Sequence, residues 1–61
     1  MIIAREVPAS FRAVVFLDDK GRPYPGIITP EGERFDTLGW RFGRDVPVPE
    51  SHKEYRDANQ V

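Results

Sequence analysis

The sequence predicts a mainly β domain: a small antiparallel meander of four or five strands curling toward a small barrel, with a short polar C-terminal helix or tail. Three observations carry that expectation. The apolar residues fall in short runs rich in Val, Ile and Phe, which suit a pleated, half-buried surface better than a helix. Six prolines and five glycines gather between those runs and cut them to strand length. The chain has 61 residues, a size at which only about 60% of the unfolded chain's surface can be buried, so it holds one domain with a small core. The expected division is 1–49 for that domain and 50–61 for the polar tail.

Taken in order, residues 2–7 read as a first strand, β-branched at both ends and stopped by Pro8, which has no backbone donor. Phe11 to Leu17 is the strongest element. Its apolar residues occupy both alternating sets, as in a central strand covered on both faces. Asp18-Asp19-Lys20-Gly21 supplies a tight turn, with Gly21 free to take positive φ and the carboxylates placed to bond nearby amides. The prolines of Arg22-Pro23-Tyr24-Pro25-Gly26 speak against regular pairing there, so the next strand is confined to Ile27-Ile28-Thr29. Pro30-Glu31-Gly32 forms a hairpin loop that returns Glu33 to Asp36 antiparallel.

Leu38, Trp40 and Phe42 alternate with Gly39, Arg41 and Gly43, the period of a half-buried strand. Val46-Pro47-Val48-Pro49 is expected to run extended as a linker or a clasp over the sheet. Ser51 and Glu54 have capping-box spacing, which predicts a short helix over 52–58. Tyr55 and Ala58 are its only apolar residues, so that helix is marginal without packing. The predicted core is Phe11, Val15, Ile28, Phe35, Trp40 and Phe42.

Composition excludes several classes of function. Nine basic residues against ten acidic ones give a net charge of −1, which rules out the broadly basic surface of sequence-independent nucleic-acid binding. No cysteine means no disulfide, no cysteine-based zinc site and no thiol nucleophile. A secreted domain this small usually carries such staples, so a cytoplasmic location is expected. Arg5 and Glu6 break the apolar start at once, against a signal peptide. The longest apolar run, Ala13 to Leu17, is far short of the ~20 residues a bilayer demands.

Catalytic patterns are equally thin. His52 follows Ser51 directly, and adjacent helical side chains diverge, so the pair reads as a cap and a solvent-facing neighbour. Asp18-Asp19-Lys20-Gly21 lacks the alternating oxygens and distal Glu of a calcium loop. Glu31 and Glu33 sit at an exposed turn tip where nothing raises a carboxyl pKa. No glycine motif cradles a phosphate. The reading is therefore no enzyme, no metal, no cofactor and no small-molecule substrate.

What remains is binding. The preferred reading is a protein-interaction or assembly module, accessory or inhibitor-like, that binds a larger protein or itself. Ile3 on an edge strand, Tyr24 between its prolines, Pro47, and the exposed arginines Arg41 and Arg44 are the candidate partner-binding residues. The alternative is a small β-barrel that binds single-stranded nucleic acid, with Phe35, Trp40 and Phe42 stacking on bases among Arg34, Arg41 and Arg44, and Phe11-Arg12 adding to them. Core packing accounts for the same aromatic residues and is the simpler assignment.

Overall fold

A computed structural model describes residues 4–58. The chain runs β1 (Arg12–Leu17), β2 (Pro23–Ile28), β3 (Arg34–Asp36), α1 (Thr37–Arg41) and β4 (Lys53–Asp57). Every neighbouring pair is antiparallel, in the order β3-β2-β1-β4. The first three strands make the expected meander, and the fourth returns beside the first in Greek-key order. The sheet stays open, with β3 and β4 at its ends, and does not close into a barrel.

Both predicted turns form. Asp18 Oδ1 accepts from the amides of Lys20 at 2.9 Å and Arg22 at 2.8 Å, and Gly21 takes φ of 78°. In the second hairpin the Thr29 amide donates to the Glu33 carbonyl at 2.8 Å, with Gly32 at φ of 89°. Contrary to expectation, Pro23 and Pro25 lie within β2. The bond from the Asp18 amide to the Arg22 carbonyl sets the phase, so even-numbered residues of β2 bond β1 and odd-numbered ones face β3. β3 ends at Asp36, opposite Gly26, so both proline nitrogens point where no strand runs.

Three further elements differ from the sequence reading. Ile2 and Ile3 lie outside the described residues, and residues 4–7 of the expected first strand run without strand pairing. The segment instead secures α1: the Arg5 amide donates to the Arg41 carbonyl at 2.7 Å and its Nε to the Trp40 carbonyl at 2.9 Å. The alternation at 38–43 becomes α1 because extended Asp36 caps it, its Oδ1 accepting from the amides of Leu38 and Gly39. Gly43, at φ of 86°, follows the last turn. The helix expected over 52–58 is a strand, β4, because pairing with β1 satisfies a backbone row that a solitary polar helix would leave open. Arg12 reinforces that pairing with salt bridges to Glu54 at 3.0 Å and Asp57 at 2.7 Å, and the two carboxylates hold its guanidinium above its ordinary pKa.

Asp36→Ala should cost about 1 kcal/mol of stability by freeing those two amides, while Asp36→Asn, which still accepts, should cost a few tenths. Urea unfolding of the two variants makes the comparison; equal losses would remove the cap.

The clasp forms as expected. The Asp36 amide donates to the Val46 carbonyl at 2.9 Å and the Val48 amide to the Arg34 carbonyl at 3.1 Å, with Pro47 bridging Phe35. Val48 thereby joins Val14 and Phe16 in the core, with Tyr24 and Ile28 packed against them. Ile27, on the opposite face, is fully buried as well, and α1 packs against β2 and β3.

The core is therefore Val14, Phe16, Ile27 and Val48, rather than the six residues read from the sequence. Phe11, Val15, Ile28, Phe35 and Trp40 are half-buried around it, and Phe42 is 51% exposed. The reason is parity: in a strand apolar on both sets, the set that meets the clasp is decided by the hairpin register, which puts Val14 and Phe16 beneath it. Trp40 packs on Phe11 at 5.5 Å between ring centres, with the Arg5 guanidinium 4.2 Å over its ring.

Candidate functional site

Two surface features meet at the clasp. The first is an open cleft of about 290 Å³ lined by the clasp, residues 46–49, together with Tyr24, His52, Asp18 and Asp36. The clasp residues reach it because their amide and carbonyl bonds to β3 fix them at the sheet edge. Chain beyond Pro49 then crosses toward β4, and Arg34 secures the crossing by donating to the His52 carbonyl at 3.1 Å.

His52 is the polar centre of the cleft, with only 16% of its side chain exposed. Its Nδ1 lies 2.7 Å from the Tyr24 hydroxyl, and its Nε2 lies 3.5 Å from Asp19 Oδ2. With the ring proton on Nε2, facing Asp19, Nδ1 accepts from the tyrosine hydroxyl. Burial, aided by the Asp36 charge, raises the Tyr24 pKa from its ordinary 10.0. The phenol therefore keeps its proton at neutral pH, and in that tautomer it donates to the imidazole. Asp18 is held below the usual carboxyl range, first by the Arg22 amide, and is committed to its turn. The cleft lining contains no serine, threonine, cysteine or lysine. Among the described residues no three of His, Asp or Glu converge as a metal ion requires, and no helix is long and apolar enough to cross a membrane.

The Tyr24 shift has a consequence for stability. A phenol whose folded pKa exceeds its unfolded one holds its proton longer in the fold, so stability is level through neutral pH and falls once pH rises past about 10. Unfolding measured between pH 8 and 11.5 should show that fall, and Tyr24→Phe should flatten it; an unchanged slope in the variant would contradict the assignment.

The second feature is apolar. Leu38 is 57% exposed, Phe42 51% and Val46 44%. Leu38 and Phe42 lie four positions apart across α1 and its C-cap, on one side of the helix. Val46 packs at Gly39, which lies between them in the helix, its Cγ2 only 2.9 Å from where a Cβ on Gly39 would stand. It lines the cleft too, so the two features are continuous. Arg41 and Arg44 stand exposed at this end of α1, and neither side chain has a hydrogen-bond or ion-pair partner among the described residues. A further exposed ring, Tyr55 at 60%, is the extra residue where the β1–β4 register shifts between Val15 and Phe16.

Of the residues singled out from sequence, Tyr24 and Pro47 come together in the cleft, and Arg41 and Arg44 flank the apolar row. Ile3 lies outside the described residues. The arginine and aromatic cluster considered for nucleic acid is largely consumed by the fold: Phe11 and Trp40 pack on each other, Arg12 holds β4, and Arg34 holds the crossing chain. Leu38, Val46 and His52 were not among the candidate binding residues: the sequence reads Leu38 as part of a half-buried strand, Val46 as part of the clasp and His52 as solvent-facing. The spacing of Leu38 and Phe42 after Asp36 carries a helical signal, whereas nothing local to His52 announces its contact with Tyr24.

Comparison with known proteins found no family model, curated protein or solved structure that matches the chain.

Proposed function

We propose that the chain is a non-enzymatic protein-interaction module, accessory or inhibitor-like, whose working surface is the apolar row of Leu38, Phe42 and Val46 with the adjoining cleft. The observation that carries this reading is the row's exposure. Only four apolar side chains are buried among the described residues, yet Leu38 and Phe42, one helical turn apart, and Val46, packed at Gly39 between them, stand exposed. A small domain gains from burying apolar surface, and a contiguous exposed set is the usual mark of a contact site. The cleft supports the same reading, since its phenol and imidazole bond each other and Asp18, the carboxylate that the turn contributes to its lining, is committed to the Lys20 and Arg22 amides. A chain without cysteine suits action in the reducing cytoplasm.

The test uses Leu38→Ser/Phe42→Ser. Both side chains are exposed, so the double variant should melt within a few degrees of the parent. Affinity capture from the source cells, or sedimentation where the partner is a second copy, should recover an assembly with the parent and lose it with the variant. A parent that is monomeric and retains nothing, or a variant that retains everything, would refute the module.

A further inference from the structure

We infer that the apolar row beside α1 receives an acidic amphipathic segment of a partner protein, apolar side chains set on Leu38, Phe42 and Val46 and carboxylates on Arg41 and Arg44. This rests on the interaction reading and names the chemistry of the partner.

The inference begins with charge. Arg41 and Arg44 are exposed and unpaired among the described residues, in a chain where Arg5, Arg12, Arg22 and Arg34 all have partners. The fold places them at one end of a short helix, after Gly43 turns the chain back and the Arg44 amide donates to the Gly39 carbonyl at 2.8 Å. The nearest carboxylate in sequence, Asp45, is engaged by Arg5 at 3.6 Å. The row is therefore apolar with a cationic rim. Guanidinium groups bind carboxylates in bidentate pairs, and such rim charges set partner choice and the speed of encounter.

The same charges decide against a second copy. A two-fold contact through this row would set each patch against itself and bring Arg41 and Arg44 of both chains together, four guanidinium groups against the two Asp45 carboxylates that Arg5 already engages at 3.6 Å. The row's shape favours a helix over a strand. Leu38 and Phe42 lie one helical turn apart and Val46 packs at Gly39 between them, a short stripe that apolar residues at i, i+3 or i+4 of another helix can cover. Nucleic acid would use the arginines and leave the apolar row in water.

Two labelled peptides of about 18 residues test the inference, long enough to form a helix on binding. Both carry the same leucine stripe; one has glutamate on its other face and the other has lysine. Fluorescence anisotropy on the full chain should show the glutamate peptide binding at least about tenfold tighter than the lysine peptide, a difference that narrows with added salt. Arg41→Glu/Arg44→Glu should reverse the preference, and Leu38→Ser/Phe42→Ser should weaken both peptides by about tenfold or more. The emission of Trp40, in α1, should shift on binding as a second readout. If the peptides bind equally and charge reversal changes nothing, the acidic partner is overturned while the interaction reading stands on Leu38 and Phe42. Binding of neither peptide also overturns it, and loss of the interaction reading itself is read separately, from capture or sedimentation with Leu38→Ser/Phe42→Ser.

Discussion

Gly26→Ala is expected to lower the unfolding free energy by about 3 kcal/mol or more, although it adds one methyl group. A Cβ at Gly26 would stand 2.2 Å from Cδ2 and 2.3 Å from Cε2 of Phe16, and 3.1 Å from the Phe35 carbonyl oxygen. Neither neighbour can yield cheaply. The Phe16 ring is fully buried, with Tyr24 at 5.9 Å and the Arg34 guanidinium at 5.6 Å from its centre, and the Phe35 carbonyl belongs to β3. A domain of this size has a total stability of about 3–9 kcal/mol, so the loss is a large share of it. Thermal unfolding should show a midpoint lower by about 15 °C or an absent transition. A variant that melts with the parent would mean that the ring has another place to go.

The second large effect is its counterpart, Phe16→Ala, which should cost about 3–5 kcal/mol through lost burial and the cavity left behind. Phe16 is the largest fully buried side chain of the core, and it packs with Val14 and Val48. The two sites are in contact, so their effects should not add. Phe16→Leu removes the ring edge that a Cβ at Gly26 would strike, so Gly26→Ala should cost less in the Phe16→Leu background than alone. Urea midpoints of the four proteins complete the cycle. Equal costs in both backgrounds would place the strain of Gly26→Ala against the β3 carbonyl instead.

These residues also show how much of the fold was legible. The turns at Asp18–Gly21 and Pro30–Gly32 were readable because a glycine with positive φ and an aspartate bonding nearby amides are local chemistry. The strand Arg12–Leu17 followed from composition alone. Its buried set did not, because both sets are apolar and register with β2 chooses between them. The helix at 37–41 was missed because Leu38, Trp40 and Phe42 fit period two as well as one helical turn, and the Asp36 cap decides. β4 was missed because its residues are polar; it forms to satisfy β1. At the candidate site, Tyr24 and Pro47 were marked by their prolines and Arg41 and Arg44 by their charge. Leu38 and Phe42 stood out as apolar residues, but their exposure depends on α1.

β4 also acts as a guard. The segment Ala13-Val14-Val15-Phe16-Leu17 is short, uncharged, free of proline and strongly β-forming, the composition of sequences that stack into cross-β fibrils. On one side β2 covers its backbone; on the other β4 does, with the Ala58 amide on the Ala13 carbonyl. Four of the five β4 residues are charged, Lys53, Glu54, Arg56 and Asp57, and a register shift at Tyr55 interrupts its regularity. The sheet thus closes its most adhesive strand behind one that repels further growth. A chain ending at Pro49 should aggregate on a timescale over which the full chain stays clear, as light scattering and thioflavin binding would register. If that difference is seen, Lys53, Glu54, Arg56 and Asp57 are the residues that hold back growth from β1.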